Sequence, residues 1–458
     1  MRFSRFVLSL RDVVPGEHVL YDVIGDRYVG VDGATLAAID RWSEAPPADD
    51  AEAGTARTLA ELGFVVSGRA EDERRFEAHR AAAAEGFAET AYVILMPTLS
   101  CNLACTYCFQ KDHPASGRMS AETEAAALAW IERKVVTTGA RRLLVHYIGG
   151  EPLLRKDFLV RTARALAAAL RPHGVAFDWE ITTNGIGLEP GLLHELSALG
   201  RGAVKVTLDG DRDNHDAARV HRDGRGTFDA VFDALAVVAR ACPDVTLRVG
   251  GNVRPGAEAS CQALLDRLEA AGLAGRFESV RFKPVMDVGH GCGQSCGSQQ
   301  ASTDQLTQLG ARRGIAREAP AGIDAVTPCE LHWDRAFVID PAGRIYKCFA
   351  VAGRPELALG TVQANALSAD PLTAGRPWES CGDDCPFAPV CLGGCLGGRY
   401  LQLGRPGGIM CDRPALEARF RAEIARRYLE EFHPGAVSAA PDVPEVPVLT
   451  VREVSAAA

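Results

Sequence analysis

Leu99-Ser100-Cys101-Asn102-Leu103-Ala104-Cys105-Thr106-Tyr107-Cys108-Phe109 is the stretch on which the fold of this chain turns. Its three cysteines are spaced C-x3-C-x2-C, directly after an apolar run at 91–97 that predicts a strand. A loop of this length can turn three thiolates towards one centre. Three thiolates on a four-iron cubane leave one iron without a protein ligand, and that iron is open to a small chelating molecule. The competing reading is a zinc knuckle. Structural zinc wants a closed tetrahedral set of protein ligands, and no suitable His or Cys follows closely.

Working outward, apolar or β-branched runs recur at 143–148, 177–182, 204–208, 245–249 and 280–285. Amphipathic, Ala- and Leu-rich stretches at 122–135, 158–170, 228–241 and 261–271 separate them. Strands alternating with helices predict an α/β architecture with parallel pairing, a partial (β/α)6 barrel over 91–290. In such folds the chemistry sits at the C-terminal ends of the strands, where the unusual residues of this chain fall.

Upstream, residues 1–68 read as a small α+β unit. Strands are expected at 3–8, 18–23 and 27–31, with Gly25-Asp26 as a turn; helices are expected at 35–42 and 51–62, parted by Pro46-Pro47. Residues 69–90 read as a linker helix. Downstream, 291–328 form a bridging region, 329–432 a Cys- and Gly-rich unit, and 433–458 a flexible tail.

The bulk numbers bound the function. At 458 residues the chain predicts two or three domains, and 47% hydrophobic with 24% charged residues is the composition of a soluble protein. There is no apolar run of membrane-spanning length and no secretory signal at the N-terminus, so a cytoplasmic protein without a membrane partner is expected. A net charge of −9 speaks against a nucleic-acid partner. Fourteen cysteines without an export signal point to metal or redox chemistry. Ten lie in two groups, 101–108 and 329–411. Cys242 and Cys261 have helical, packing contexts; Cys292 and Cys296 lie in a Gly-rich loop, as free thiols, cluster ligands or substrate contacts.

The first group, with the aromatic Tyr107 before its last cysteine, resembles the radical S-adenosylmethionine (SAM) superfamily. Further segments match that family at successive strand ends: Gly149-Gly150-Glu151-Pro152, Thr182-Thr183-Asn184-Gly185, and Thr207-Leu208-Asp209-Gly210 followed by His215-Asp216 and Arg219. The resemblance implies that Cys101, Cys105 and Cys108 hold a 4Fe-4S cluster whose open iron chelates SAM. It implies cofactor-binding roles for Tyr107, Gly149, Gly150, Glu151, Asn184, Thr207 and Arg219. The backbone of the Gly149–Pro152 segment and Glu151 would receive the SAM amino group and Arg219 its carboxylate; Thr207 stands where a Ser is usual and keeps the hydroxyl. Arg248 is either a further SAM contact or a barrel-wall ion pair. No catalytic side chain is assigned.

Cys329, Cys348, Cys381, Cys385, Cys391, Cys395 and Cys411 resemble the SPASM extension of radical SAM maturases, which holds two auxiliary 4Fe-4S clusters, three clusters in all. By that pattern Cys329, Cys348 and Cys395 serve the first auxiliary cluster, and Cys381, Cys385, Cys391 and Cys411 the second. The first has only three thiolates, because Leu-His-Trp-Asp-Arg-Ala stands where some members supply another Cys. The step from Cys381 to Cys385 is x3 where the family has x2. A zinc-ribbon pair is the alternative. The N-terminal unit is similar, at the level of element order, to winged-helix domains that hold leader peptides by strand addition. Sulfatase maturases carry an Asp after the Cys equivalent to Cys348; here it is Phe349. The expectation is therefore a maturase that modifies a ribosomal precursor peptide, with a flavodoxin or ferredoxin as reductant. A radical SAM enzyme acting on a small molecule, or a non-catalytic Fe–S or zinc scaffold, are the alternatives.

Overall fold

The computed structural model describes residues 1–86, 89–110, 117–285, 300–318, 328–364, 366–381 and 385–434. Cys292, Cys296 and the expected tail from 435 onward lie outside the described residues.

The N-terminal unit runs β1 (Arg2–Phe3), β2 (Val7–Val14), β3 (Glu17–Asp22), β4 (Arg27–Asp32), α1 (Gly33–Arg41), α2 (Asp50–Glu61) and β5 (Val65–Val66), and leads into α3 (Arg69–Glu85). β2, β3 and β4 form an antiparallel sheet, while β1 pairs with β5. The single strand expected at 3–8 is thus two strands in different sheets. The break is fixed by Asp72 of α3, fully buried, which accepts from the Ser4 hydroxyl (2.6 Å) and the Arg5 amide (3.1 Å). Asp32 and Asp49 cap α1 and α2 with their side chains, as helix starts require.

The central body alternates β6 (Thr90–Leu95), α4 (Ala121–Thr137), β7 (Arg142–Tyr147), α5 (Lys156–Leu170), β8 (Ala176–Thr183), α6 (Pro190–Ser197), β9 (Arg201–Thr207), α7 (Arg212–Ala218), α8 (Phe228–Ala241), β10 (Thr246–Val253), α9 (Glu258–Ala270) and β11 (Phe277–Pro284). The six expected strands are all present and pair in parallel in sequence order. The alternation continues past 290: α10 (Gln300–Arg312) leads to β12 (Ala316–Glu318), which adds to β11 in parallel.

The Cys-rich unit contributes β13 (Ala336–Ile339), β14 (Arg344–Tyr346), β15 (Gly360–Thr361), α11 (Ala388–Cys391), α12 (Leu396–Leu403) and α13 (Arg413–Phe432). The sheet order is β12-β11-β10-β9-β8-β7-β6-β13-β14-β15, so the Cys-rich unit is zipped onto the strand that launches the first cysteine loop. The outer face of the sheet is the apolar core: Trp179, Ile181, Val204 and Val206 pack beneath Phe158, Leu193, Leu196 and Leu235 of the helices. The alternate residues face the concave side and are polar, among them Tyr92, His146, Glu180, Lys205 and Arg248.

α13 was not foreseen. Its Phe420, Ile424 and Tyr428 pack on Leu8, Leu10, Val19 and Tyr21 of the N-terminal sheet, together with Cys385 and Phe387.

Candidate functional site

The first cysteine loop leaves the C-terminal end of β6 and is pinned from both sides. From the β7 side, the amides of Gly150 and Glu151 donate to the carbonyls of Thr98 (3.1 Å) and Ser100 (2.9 Å). On the other side, at the end of α7 and just beyond it, the carbonyls of Val220 and Ala218 accept from the amides of Ala104 (2.8 Å) and Thr106 (3.0 Å), and Arg222 Nε donates to the Cys101 carbonyl (2.7 Å). Cys101, Cys105 and Cys108 are free and partly buried. Burial pushes all three thiols up, and each lies in the field of another of the three. Iron binding must therefore displace protons that the free thiols hold.

Gly149 and Gly150 explain how the two loops meet. A Cβ on Gly149 would stand 2.3 Å from the Thr98 carbonyl oxygen, and one on Gly150 2.2 Å from that of Ser100. Only glycine permits this backbone approach. Glu151 is 1% exposed, and its carboxylate is engaged by the protein itself. Oε1 accepts from the Leu153 amide (2.9 Å) and the Thr183 hydroxyl (2.7 Å), and Oε2 from the Asn184 amide (2.7 Å). Burial pushes its pKa up, against the pull of those donors. Its geometry is that of a clamp between the loops after β7 and β8. Asn184 extends the clamp: its side-chain amide donates to Asn102 (2.8 Å) and lies 3.8 Å from Cys101 Sγ.

Across the loop stands a buried polar knot. Arg219, 7% exposed, donates to the Tyr107 hydroxyl (2.8 Å) and pairs with Asp209 at 3.9 Å. Tyr107 donates to Asp209, and Asp209 accepts from the Asn252 amide (2.7 Å). Burial opposes the Arg219 charge, but Tyr107 and Asp209 hold the guanidinium charged, and its Nε is buried without a partner. His215 sits beneath, its pKa pushed down to about 4 by burial, bonded to Thr227 at 3.1 Å. Thr207 closes β9 beside Gly250, the residue it pairs with on β10. Arg248 is a barrel-wall ion pair: it binds Glu180 at 3.1 Å and also Glu278.

The later cysteines fall into two spatial sets. Cys348 lies in the field of Cys329 and Cys395, and its own burial first, then those two thiols, push its thiol up. Cys381 lies in the field of Cys385, Cys391 and Cys411, and burial followed by these neighbours pushes it up to about 12. A Cβ on Gly397 would meet Cys348 Sγ at 2.6 Å, so a glycine keeps that thiol clear. Phe349 stacks edge-on against Phe109, with centroids 5.7 Å apart, and joins the two cysteine regions.

Among the described residues, no three His, Cys, Asp or Glu converge tightly enough to hold a single metal ion. A cubane is held from its corners, so its thiolates stand further apart than the ligands of one ion, and the sulfur-only donor set suits iron–sulfur chemistry. No helix of the described residues is long and apolar enough to cross a membrane. Asp209 and Asn252 had no part in the sequence assignment. Asn252 was open to discovery as a polar residue near the C-terminal end of a strand, and Asp209 as the acid of the quoted Thr207–Gly210 segment.

Comparison with known proteins bears on this geometry. Residues 95–253 match the model of the Radical SAM superfamily. A serine-type anaerobic sulfatase-maturating enzyme of Klebsiella aerogenes is 26% identical over 343 residues, 68% of this chain and 82% of the relative. A PqqA peptide cyclase of Xanthomonas campestris is 27% identical over 402 residues, 79% of this chain and 96% of the relative. Among solved structures, anSMEcpe with bound AdoMet and Kp18Cys peptide superposes with a TM-score of 0.53 at 17% identity, covering 77% of this chain and 99% of that one. Streptococcus suis SuiB bound to precursor peptide SuiA gives 0.51 at 13% identity, covering 90% and 99%. Both share the fold.

Proposed function

We propose, from the radical SAM domain that residues 95–253 carry, that this chain is a maturase which modifies a ribosomal precursor peptide by hydrogen abstraction. The observation that supports it most is the Cys101–Cys105–Cys108 loop docked against the buried Arg219–Tyr107–Asp209 knot. Thiols for a cluster with an open iron and a charged, half-satisfied guanidinium there share one rim of the sheet. The curated relatives named above act on a sulfatase and on a peptide, which supports a protein or peptide substrate.

When bound, SAM on the reduced cluster supplies a 5′-deoxyadenosyl radical. The chain's own residues would do the rest. Arg219, its fork held by Tyr107 and Asp209, would take the SAM carboxylate. The carbonyls of the Gly149–Glu151 loop would take the amino group, with the Glu151 carboxylate, held by Leu153, Thr183 and Asn184, fixing that loop. Thr207 and Asn184 would line the same rim. Cys329, Cys348 and Cys395 would hold one auxiliary cluster, and Cys381, Cys385, Cys391 and Cys411 another, as electron carriers for the oxidised substrate. A cytoplasmic flavodoxin or ferredoxin would supply the reducing electron, and residues 1–68 would hold the leader of the precursor. Phe349 cannot accept a proton, so a reaction other than serine or cysteine oxidation in a sulfatase is favoured.

Anaerobic reconstitution tests this. About twelve irons per chain are expected for three cubanes, with 5′-deoxyadenosine formed from SAM and dithionite and abolished in Cys101→Ala. Mass spectrometry of a precursor peptide encoded beside the gene, co-expressed with the enzyme, should show a changed mass. Zinc in place of iron, or 5′-deoxyadenosine from Cys101→Ala, overturns the reading.

A further inference from the structure

On the concave face, below the rim, Lys205 of β9 lies in register between Thr182 of β8 and Arg248 of β10. Thr207 is two residues on, on the same face, so Lys205 stands one side-chain layer lower, about 6.6 Å down the strand. The groups around it have spent their charges elsewhere. Glu180 is paired with Arg248, which also holds Glu278. His146 bonds Tyr92 (2.6 Å) through one nitrogen and Thr182 (2.8 Å) through the other, and burial pushes its pKa down.

Lys205 makes no hydrogen bond or ion pair among the described residues. Lys283, Arg281 and Arg248 face it with positive charge, and Glu180 with negative. Burial first, and Lys283 next, push its ammonium down to about 8. Gly250 makes room for it, because a Cβ there would stand 2.9 Å from Lys205 Cε. A half-buried cation among cations is costly without an anionic partner. The fold keeps it, with a glycine at 250 where a side chain would collide with its stem.

We propose that Lys205 is a substrate anchor that takes a carboxylate of the peptide on the concave face, one layer below the SAM position. This rests on the peptide-maturase reading and adds the group the substrate must present, either an acidic side chain or a C-terminal carboxylate. A compact ammonium suits this task, since it binds a carboxylate as a point charge without demanding a fork geometry.

The chain has only six lysines, so their reactivity can be read site by site. The reconstituted full-length enzyme is treated with N-hydroxysuccinimidyl acetate, and acetylation of Lys205 relative to Lys156 is quantified by peptide mass spectrometry. The probes are SAM alone, glutarate, acetyl-Ala-Ala-Glu-Ala-Ala-amide, its Gln counterpart, and acetyl-pentaalanine with a free C-terminus. At least fivefold protection of Lys205 by the Glu peptide or by the free C-terminus, and none by the Gln peptide, is expected; which of the two protects identifies the source of the carboxylate. Glutarate protecting as well as both peptides supports the anchor while counting against a peptide substrate. Equal protection by the Gln peptide, full protection by SAM alone, no protection by any probe, or a Lys205 that never acetylates each overturns the proposal.

Discussion

Glu151 shows how a single side chain ties together two loops at the strand ends. Three donors converge on its two oxygens from two different loops. Glu151→Gln places an amide N–H2 where at least one of those donors points, and leaves a buried donor unsatisfied at a cost of about 1–3 kcal/mol. We expect urea melts to shift by that amount, and SAM cleavage to fall at least tenfold because the loops after β7 and β8 lose their mutual register. Unchanged 5′-deoxyadenosine formation would show that the clamp is dispensable. Lys205 gives the second prediction at this scale. Its folded pKa of about 8 lies below that of an unfolded lysine, so the folded chain binds its proton less tightly. Below about pH 8 both states are charged and the folded state bears the full cost; above the unfolded pKa of about 10.4 both are neutral and the cost is gone. Lys205→Met should therefore stabilise the metal-free chain by about 1–3 kcal/mol at pH 7. That gain should shrink steadily towards pH 10; a gap independent of pH would assign the effect to packing.

At the scale of elements, the junction between the loops after β6 and β7 depends on two missing side chains. Gly150→Ala drives a Cβ into the Ser100 carbonyl, which is backbone and can yield only by moving the cysteine loop. About 1–3 kcal/mol of stability should be lost. The reconstituted variant should also carry about four fewer irons than wild type, with the remaining iron untouched. A full iron complement with normal cluster spectra would mean that the loop can move without cost. The same elements show what the sequence made legible. The six strands β6–β11 could be read because each is an apolar run bounded by helices with clear amphipathic spacing, and the Gly149–Glu151 and Thr207–Gly210 segments could be placed because they follow strand ends. β12 and β13 escaped notice: they are three and four residues long and join the sheet through tertiary pairing with β11 and β6. The split between β1 and β2 escaped because its cause, Asp72, lies on another helix. The role of Glu151 as a clamp was illegible for a related reason: its donors are backbone amides and a hydroxyl supplied by folding, and Thr183 is 32 positions away.

At the scale of the whole molecule, the N-terminal sheet and α13 are packed into one body. α13 carries Leu416, Phe420, Ile424 and Tyr428 at i, i+4 spacing within a heavily charged helix, and that stripe docks on β2 and β3. The same core takes in Cys385 and Phe387, with Cys381 and Cys391 packed against it. Phe420, 1% exposed, touches both sides: its ring meets Tyr21 of β3 at 6.0 Å and Phe387 at 5.0 Å. The proposed leader-binding sheet and the proposed outer cluster therefore share a wall, whereas the parallel sheet that carries the first cysteine loop is built on a different core. Phe420→Ala should cost about 3–5 kcal/mol of local stability, and that cost should fall unevenly. Hydrogen exchange should accelerate in β2, β3 and the segment around Cys385–Cys391, while β6–β10 keep wild-type protection. In activity, the variant should retain SAM cleavage in the absence of peptide and lose modification of the precursor. Uniform loss of protection across both regions, with SAM cleavage falling in parallel, would instead show that the wall and the rim unfold as one unit.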